Sequence, residues 1–280
     1  MIETISDLKK ASKQEISDAI RNIDIRGVVT RGLVNRGRRP GYTMDQWRKE
    51  REKRESETCP TCAGRGHVHQ KLRTVGTIHA SGATRCVVSL YYDVTGEIAP
   101  AEELKPELLI TFEIGHAIHG LVQEVLHEEL GDAFADEVRV DLQEAMILNG
   151  SADGIIWLPR CRVLLEIKTI SENEYGKLRK PKPDHLIQAV GLYAKGLDVP
   201  FISFLYISKG WPHDIKEYVV PYDERVFQNW YSQWGIKVEE ALEEGVPPRA
   251  ENVSAYTCGQ CKYNSDCPQA LGMRDRFKKK

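Results

Sequence analysis

The sequence predicts an α/β protein in which a central mixed sheet is flanked by helices. Strand-like and helix-like patterns alternate from residue 76 onward, which is the first observation behind this prediction. The second is the length of 280 residues, enough for one large domain or for one domain with an appendage. The third is a Cys- and His-containing stretch at 58–70, which predicts a small N-terminal metal knuckle ahead of the core.

Residues 1–75 are expected to form a basic helical arm that carries the knuckle, and residues 76–280 the main domain. Apolar residues recur at helical spacing from 5 to 23, which predicts one amphipathic helix. The Arg- and Gly-rich stretch 26–42 predicts an extended arm, and Thr43 is a candidate N-cap of a charged helix to about residue 57. Basic residues crowd positions 21–54, where they either neutralise phosphates or form a solvated face.

The main domain begins with a helix at 106–130, because Pro106 stands near its first turn and Gly131 follows its end. Strands and helices then alternate. The predicted strands are Ala135–Asp141, Glu144–Leu148, Asp153–Leu158, Arg162–Thr169, Phe201–Ser208 and Ile215–Val220, and the predicted helices are 184–196 and 223–244. A Cys-rich loop follows the last helix.

Composition narrows the class of protein. The net charge of −2 and the charged fraction of 29% are typical of an ordinary globular protein. We expect no membrane contact, because the sequence has no run of about 18 apolar residues and no secretory signal. A cytoplasmic, reducing location is therefore expected, and the seven cysteines then indicate metal or cluster binding rather than disulfides.

Two acidic residues and a lysine form the most informative motif. Glu166 and Lys168 lie two apart on an apolar strand, so their side chains share one face. Asp153 starts the preceding strand and is within reach across a hairpin. Two carboxylates beside a lysine suit Mg²⁺ or Mn²⁺ and the hydrolysis of a phosphodiester, with Lys168 orienting or deprotonating water. The alternative is a surface hairpin with a cross-strand Glu–Lys pair.

Two predicted helices add candidate residues to this motif. His119 ends a Phe112-x2-Gly115-x3-His119 pattern, and an imidazole suits Mn²⁺, although a core or capping histidine is the alternative. Gln188 and Tyr193 lie on the later helix, where an amide and a phenol would fix either a phosphate backbone or the lysine.

The cysteines fall into two clusters. Three close the chain as Cys258-x2-Cys261-x5-Cys267. Near the N-terminus, four side chains of a kind that zinc accepts follow one another, namely Cys59, Cys62, His67 and His69. A single His with a more distant ligand, or idle thiols, are the alternatives there. Cys86 stands alone, and Cys161 is predicted to be a buried thiol.

Taken in order, G-x3-H, G-x2-D, E-x-K, a Gln-bearing helix and C-x2-C-x5-C resemble the RecB-type PD-(D/E)xK nucleases that carry an iron–sulfur cluster. That family includes CRISPR-associated RecB-like exonucleases, the AddB nuclease domain and phage relatives. The resemblance covers about residues 80–270. It implies a restriction-endonuclease-like core and a Mg²⁺- or Mn²⁺-dependent deoxyribonuclease, an exonuclease on single-stranded DNA or DNA ends.

The resemblance also assigns roles to residues. It implies metal ligands at His119, Asp153, Glu166 and the carbonyl of Ile167. Lys168 matches the catalytic lysine. Gln188 and Tyr193 match a trailing motif, although four residues separate them here and three in the family.

A 4Fe–4S cluster is implied in the same way, with Cys258, Cys261 and Cys267 as three ligands. The fourth ligand precedes the G-x3-H helix in the family, and Cys86 fits this place, although Val87 stands where the family has proline. Cys59 and Cys62 compete for the role.

The expected partners are DNA and a protein of a recombination, replication or adaptation complex. Two other functions stay open from the sequence. One is a non-catalytic DNA-binding or scaffold subunit with the same fold, and the other is a regulator whose cysteines all bind zinc.

Overall fold

The computed structural model describes residues 1–37, 78–98, 106–142, 148–210, 213–251, 253–259 and 261–272. The predicted zinc knuckle, with Cys59, Cys62, His67 and His69, lies outside these ranges. So do the helix expected from Thr43, the domain boundary near residue 75 and most of the strand expected at Glu144–Leu148. No helix in the described part of the chain is long and apolar enough to cross a membrane.

A mixed sheet of six strands forms the centre of the described fold, which confirms the predicted fold class. Its strands are β1 (Ile78–His79), β2 (Phe134–Asp141), β3 (Leu148–Leu158), β4 (Cys161–Ile170), β5 (Phe201–Ser208) and β6 (Ile215–Pro221). The order is β1-β3-β4-β5-β6, and β2 pairs with β3. The β1–β3 and β4–β5 pairs are parallel and the others antiparallel. Strand β5 is buried along its whole length, so helices cover both of its faces.

Helices surround this sheet. They are α1 (Ile5–Lys10), α2 (Lys13–Arg21), α3 (Ile25–Gly37), α4 (Val87–Thr95), α5 (Pro106–Leu130), α6 (Glu172–Lys177), α7 (183–197), α8 (224–244) and α9 (Ala255–Gly259). Two of them widen into π-helix in the middle, α7 over Ile187–Tyr193 and α8 over Tyr231–Gly235. The predicted helix 106–130 and the predicted strand Phe201–Ser208 have the bounds that the sequence indicates.

Strands β3 and β4 form a fork. They pair only between Gly154–Leu158 and Cys161–Leu165. Beyond this point β4 continues alongside β5, whereas the first half of β3 pairs with β2 and β1. The pairing ends just before Asp153 and Glu166, so these two polar residues stand at the opening of the fork.

The prediction of one helix over 5–23 is wrong. The chain turns extended at Ala11, and α2 starts afresh with a capping box in which the side chains and backbones of Ser12 and Glu15 bond reciprocally. Ser12 and Glu15 have the S-x-x-E spacing of a capping box, but the apolar residues keep their helical spacing across this point and so predict a single helix.

The prediction of an extended arm over 26–42 is also wrong as far as the chain is described, because Ile25–Gly37 is helical. A Cβ on Gly32 would lie 2.3 Å from Cγ1 of Val125, so this glycine lets α3 approach α5 closely. Arg36 is 6% exposed and pairs with Glu124 at 3.2 Å and Glu128 at 2.8 Å on α5. Its guanidinium is thus committed to carboxylates of the protein.

Candidate active site

The fork between β3 and β4 brings together Asp153, Glu166 and Lys168. Oδ2 of Asp153 accepts a hydrogen bond from the backbone N–H of Ile167 at 2.6 Å. Nζ of Lys168 lies 2.5 Å from Oε1 of Glu166. Glu166 is 1% exposed, and the side chains of Asp153 and Lys168 are 15% and 21% exposed. The trio is therefore largely buried, unlike a cross-strand pair on an open sheet face.

Helix α5 adds His119 to this trio. Its Nδ1 lies 3.4 Å from Oδ1 of Asp153. One turn earlier, a Cβ on Gly115 would lie 3.3 Å from Oγ1 of Thr169, so the glycine lets the helix pass close to the end of β4. The helix therefore presents an imidazole to the same carboxylate that the backbone of β4 contacts.

Glu166 carries an unsatisfied group. The pKa of Glu166 is raised to about 7, chiefly because burial disfavours the charged form. The Lys168 ammonium acts against this rise, and the nearby Asp153 carboxylate adds to it. Its Oε2 atom is buried and has no hydrogen-bond partner. An orphaned buried carboxylate oxygen is unfavourable in a protein interior unless another group, such as a cation, engages it. The donor set of carboxylates, imidazole and backbone carbonyl is of the kind that Mg²⁺ or Mn²⁺ accepts.

Lys168 is held from its other side by helix α7. Its Nζ donates to Oε1 of Gln188 at 3.2 Å, and Nε2 of Gln188 donates to the hydroxyl of Tyr193 at 3.0 Å. Burial lowers the pKa of Lys168, but the carboxylates of Glu166 and Asp153 raise it more strongly, so the pKa lies above its usual value. The ammonium form is therefore the one that this surrounding stabilises.

The extra residue between Gln188 and Tyr193 is absorbed by the π-helical stretch of α7. A π-helix bonds residue i to i+5, so residues five apart come to the same face, as residues four apart do in an α-helix. Gln188 and Tyr193 are five apart and touch each other. In spite of the altered spacing, Tyr193 thus contacts the same Gln188 amide that accepts a hydrogen bond from Lys168.

Gly150, the glycine of the G-x2-D pattern, lies where a side chain would collide with Tyr193. A Cβ there would lie 2.7 Å from Cε1 and 3.0 Å from the hydroxyl of Tyr193. The buried ring of Tyr193 consequently packs directly on the backbone of β3.

We expect Gly150→Ala to lower the free energy of unfolding by about 1–3 kcal/mol, because overpacking must displace the Tyr193 ring. Urea denaturation measures this loss. Gly176→Ala, on the open side of helix α6 where a Cβ meets no atom within 4 Å, is the matched control and should be neutral or stabilising. Equal effects of the two substitutions would show that Tyr193 does not require a glycine at 150.

Two residues of this site were missed from the sequence. Gln123, on α5, donates from Nε2 to the backbone carbonyl of Asp153 at 2.9 Å. Its place one turn after His119 is a signal that helical spacing would have provided. Glu137, on β2, has a left-handed φ of 48°, for which the sequence gives no signal.

Four cysteines come together at a second place. Burial raises the pKa of the Cys86 thiol, and Cys261 and Cys267 contribute in the same direction. Burial likewise raises the pKa of Cys258, with contributions from Cys86, Cys267 and Cys261. The segment before α4 and the last described segment are therefore neighbours. Cys161 is buried elsewhere, and burial alone raises its pKa to about 11.

Neither the fork nor the cysteine cluster has its side chains arranged around a common point as metal ligands. Among the described residues, no group of three or more His, Cys, Asp or Glu side chains is arranged to hold a metal ion. At the fork, one oxygen of Asp153 is engaged by a backbone N–H and one oxygen of Glu166 by Lys168. The candidate cation ligands at the fork are Oδ1 of Asp153, Oε2 of Glu166 and the ring of His119.

No protein-family model matches the chain, and no curated protein matches it. Among solved structures, the chain is similar to the crystal structure of SSO0001, with 19% identity, a TM-score of 0.46, and coverage of 79% of this chain and 94% of the other. It is also similar to LHK-Exo in complex with dAMP, with 17% identity, a TM-score of 0.44, and coverage of 61% and 91%. A second structure of LHK-Exo, an alkaline exonuclease from Laribacter hongkongensis, gives 17% identity, a TM-score of 0.41, and coverage of 61% and 94%. At this level of likeness the chemistry has to be argued from the side chains.

Proposed function

We propose that the protein is a metal-dependent nuclease that hydrolyses phosphodiester bonds in DNA. One observation carries this proposal. Glu166 is a fully buried carboxylate with an unpartnered oxygen, and it stands beside Asp153, His119 and a lysine that the fold holds in its charged form. An ion pair between Glu166 and Lys168 leaves this buried oxygen without a partner, whereas a bound cation would give it one.

Each side chain has a role in this proposal. His119, Asp153, Glu166 and the carbonyl of Ile167 would hold Mg²⁺ or Mn²⁺. When bound, such a cation polarises a phosphoryl oxygen and lowers the pKa of water. Lys168 orients the attacking water and offsets negative charge that develops on the phosphate, since its ammonium lies beside the carboxylate that would hold the cation. Gln188 and Tyr193 keep this ammonium in place.

The order of motifs supports a finer assignment. We infer an exonuclease of the RecB type that acts on single-stranded DNA or DNA ends in phage or prokaryotic DNA processing. The four neighbouring thiols of Cys86, Cys258, Cys261 and Cys267 have the donor chemistry of a 4Fe–4S cluster. A zinc ion at Cys59, Cys62, His67 and His69, and a protein partner in DNA metabolism, belong to the same proposal.

The test is digestion of end-labelled single-stranded and duplex DNA with Mn²⁺, with Mg²⁺ and with EDTA. Wild-type protein should degrade DNA with either metal and not with EDTA. Lys168→Ala should lower the rate by at least about 100-fold, because charge stabilisation in the transition state is lost.

Lys237→Ala is the matched control, because Lys237 lies on helix α8 and forms an exposed ion pair with Glu251 at 2.9 Å. It should cleave as the wild type does. Metal-independent cleavage, or cleavage that survives Lys168→Ala, contradicts the proposal. Tight DNA binding without any cleavage by the wild type would favour the non-catalytic scaffold instead.

A further inference from the structure

The ladder between β2 and β3 is interrupted opposite Asp153. On one side Asp136 pairs with Gly154, and on the other Val138 pairs with Ala152. The register is unchanged across the gap, so Glu137 faces Asp153, yet the two do not pair. Glu137 has a φ of 48°, a left-handed conformation that is unfavourable for residues other than glycine. Such outliers persist where the surrounding structure imposes them, and they cluster at functional sites.

The carbonyl of Asp153, at this interruption of the ladder, is contacted by α5. Nε2 of Gln123 donates to it at 2.9 Å, and Gln123 is only 8% exposed. Gln123 follows His119 by four residues, so both project from one face of the helix. Helix α5 therefore contacts Asp153 twice, at the carboxylate through His119 and at the backbone through Gln123.

Glu137, on β2, contacts the same residues from the other side of the interrupted pair. Its Oε2 accepts from the hydroxyl of Ser151 at 2.9 Å, and its Oε1 lies 3.4 Å from Nε2 of Gln123. The carboxylate thus spans the interrupted pair and reaches the same amide that engages Asp153. The left-handed backbone of Glu137, the missing pair of the ladder and the Gln123 contact therefore all meet at Asp153.

We propose that Gln123 is a positioning residue that sets the orientation of Asp153 for cation binding, and that the left-handed backbone of Glu137 makes this contact possible. The inference rests on the proposed function, since it gives the Asp153 carboxylate a cation to bind. Gln123 acts through Asp153 and touches no reacting atom. Its removal should therefore weaken the affinity for the cation before it alters the chemistry.

The test is calorimetric titration of the full chain, stripped of divalent metal, with Mn²⁺. The relevant signal is the binding that Asp153→Ala abolishes. Gln123→Ala should weaken that binding about 10-fold, and Gln123→Glu, which is similar in shape but cannot donate to a carbonyl when ionised, should weaken it as much. Gln228→Ala is the control, because Gln228 is exposed and bonds Glu224 on helix α8.

A purely structural role predicts lower melting temperatures with unchanged Mn²⁺ affinity, and that result overturns the inference. Glu137→Gly accepts the left-handed φ and should retain more affinity than Glu137→Val, whose branched side chain disfavours it. The reverse order contradicts the role given to the backbone. If the Gln123 variants lose affinity while the wild type cleaves no DNA, the proposed nuclease function fails and this inference stands. If the wild type shows no Asp153-dependent binding, both fail.

Discussion

Glu166→Gln is expected to abolish metal-dependent DNA cleavage and, at the same time, to stabilise the metal-free protein. The loss of cleavage follows from the proposed metal site, where Glu166 supplies the buried carboxylate. Without that charge the cation is bound weakly or out of place, and we expect a decrease of about 1,000-fold, which corresponds to several kcal/mol of transition-state stabilisation.

The gain in stability follows from burial. The folded pKa of Glu166 is about 7, against an ordinary value of 4.5. Between these values the folded protein binds the proton more tightly than the unfolded chain does. The wild type therefore loses stability as the pH rises from about 4.5 to 7, and the Gln variant does not. Once the pH is well above 7 and Glu166 is ionised, the advantage of the variant should be complete, at about 3 kcal/mol for this rise in pKa.

Urea unfolding in EDTA at pH 5 and pH 8, beside a DNA digestion assay, measures both effects. Glu174→Gln is the matched control, because Glu174 pairs with Lys182 at 2.6 Å with half of its side chain exposed. That change should alter stability by less than about 1 kcal/mol and leave cleavage intact. A Glu166→Gln variant that is less stable than the wild type at pH 8 would show that the carboxylate is part of a structural ion pair.

If the proposed iron–sulfur cluster is present, Cys86→Ala is expected to remove it and to loosen the C-terminal segment. The four thiols come from regions about 170 residues apart in the sequence, so a shared cluster would close a long loop and stabilise the folded chain by binding. Anaerobically purified wild type should be brown and contain about four iron atoms, as a 4Fe–4S cluster requires. The variant should be colourless, lack iron and be cleaved by protease near residue 258.

The loss should not unfold the whole domain. The segment is also held by the hydroxyl of Tyr263, which donates to Asp93 at 2.7 Å, and by edge-to-face packing of the Tyr263 and Tyr92 rings at 5.4 Å.

Cys161→Ala, at the buried thiol away from the other four, is the control and should keep its iron. Loss of iron in Cys59→Ala but not in Cys86→Ala would transfer the fourth ligand to the N-terminal cysteines.

The core of the candidate site was predictable because local periodicity determines it. Alternation along a strand puts Glu166 and Lys168 on one face, and a hairpin brings Asp153 opposite. The side chain of His119 comes from a helix whose two ends are marked in the sequence by Pro106 and Gly131. The central strand Phe201–Ser208 was predictable from a different signal, because a short continuous apolar run is typical of a strand that is buried on both faces.

What escaped prediction depends on contacts between distant segments. Gly32 looks like a helix breaker until Val125 of α5 is known to lie against it. A π-helical turn at Ile187–Tyr193 has no local signature, and neither does the left-handed φ of Glu137. Each is imposed by tertiary packing that overrides local preference.

The hydrogen bonds from Lys168 to Tyr193 have a fixed direction. An ammonium group only donates, so the oxygen of the Gln188 amide must face it and the NH₂ group must face Tyr193. The phenol oxygen is then an acceptor, and its own hydrogen points away from Gln188. The charge of Lys168 thereby fixes which atom donates and which accepts in both hydrogen bonds. The amide of Gln188 carries this direction from the lysine to the buried hydroxyl of Tyr193.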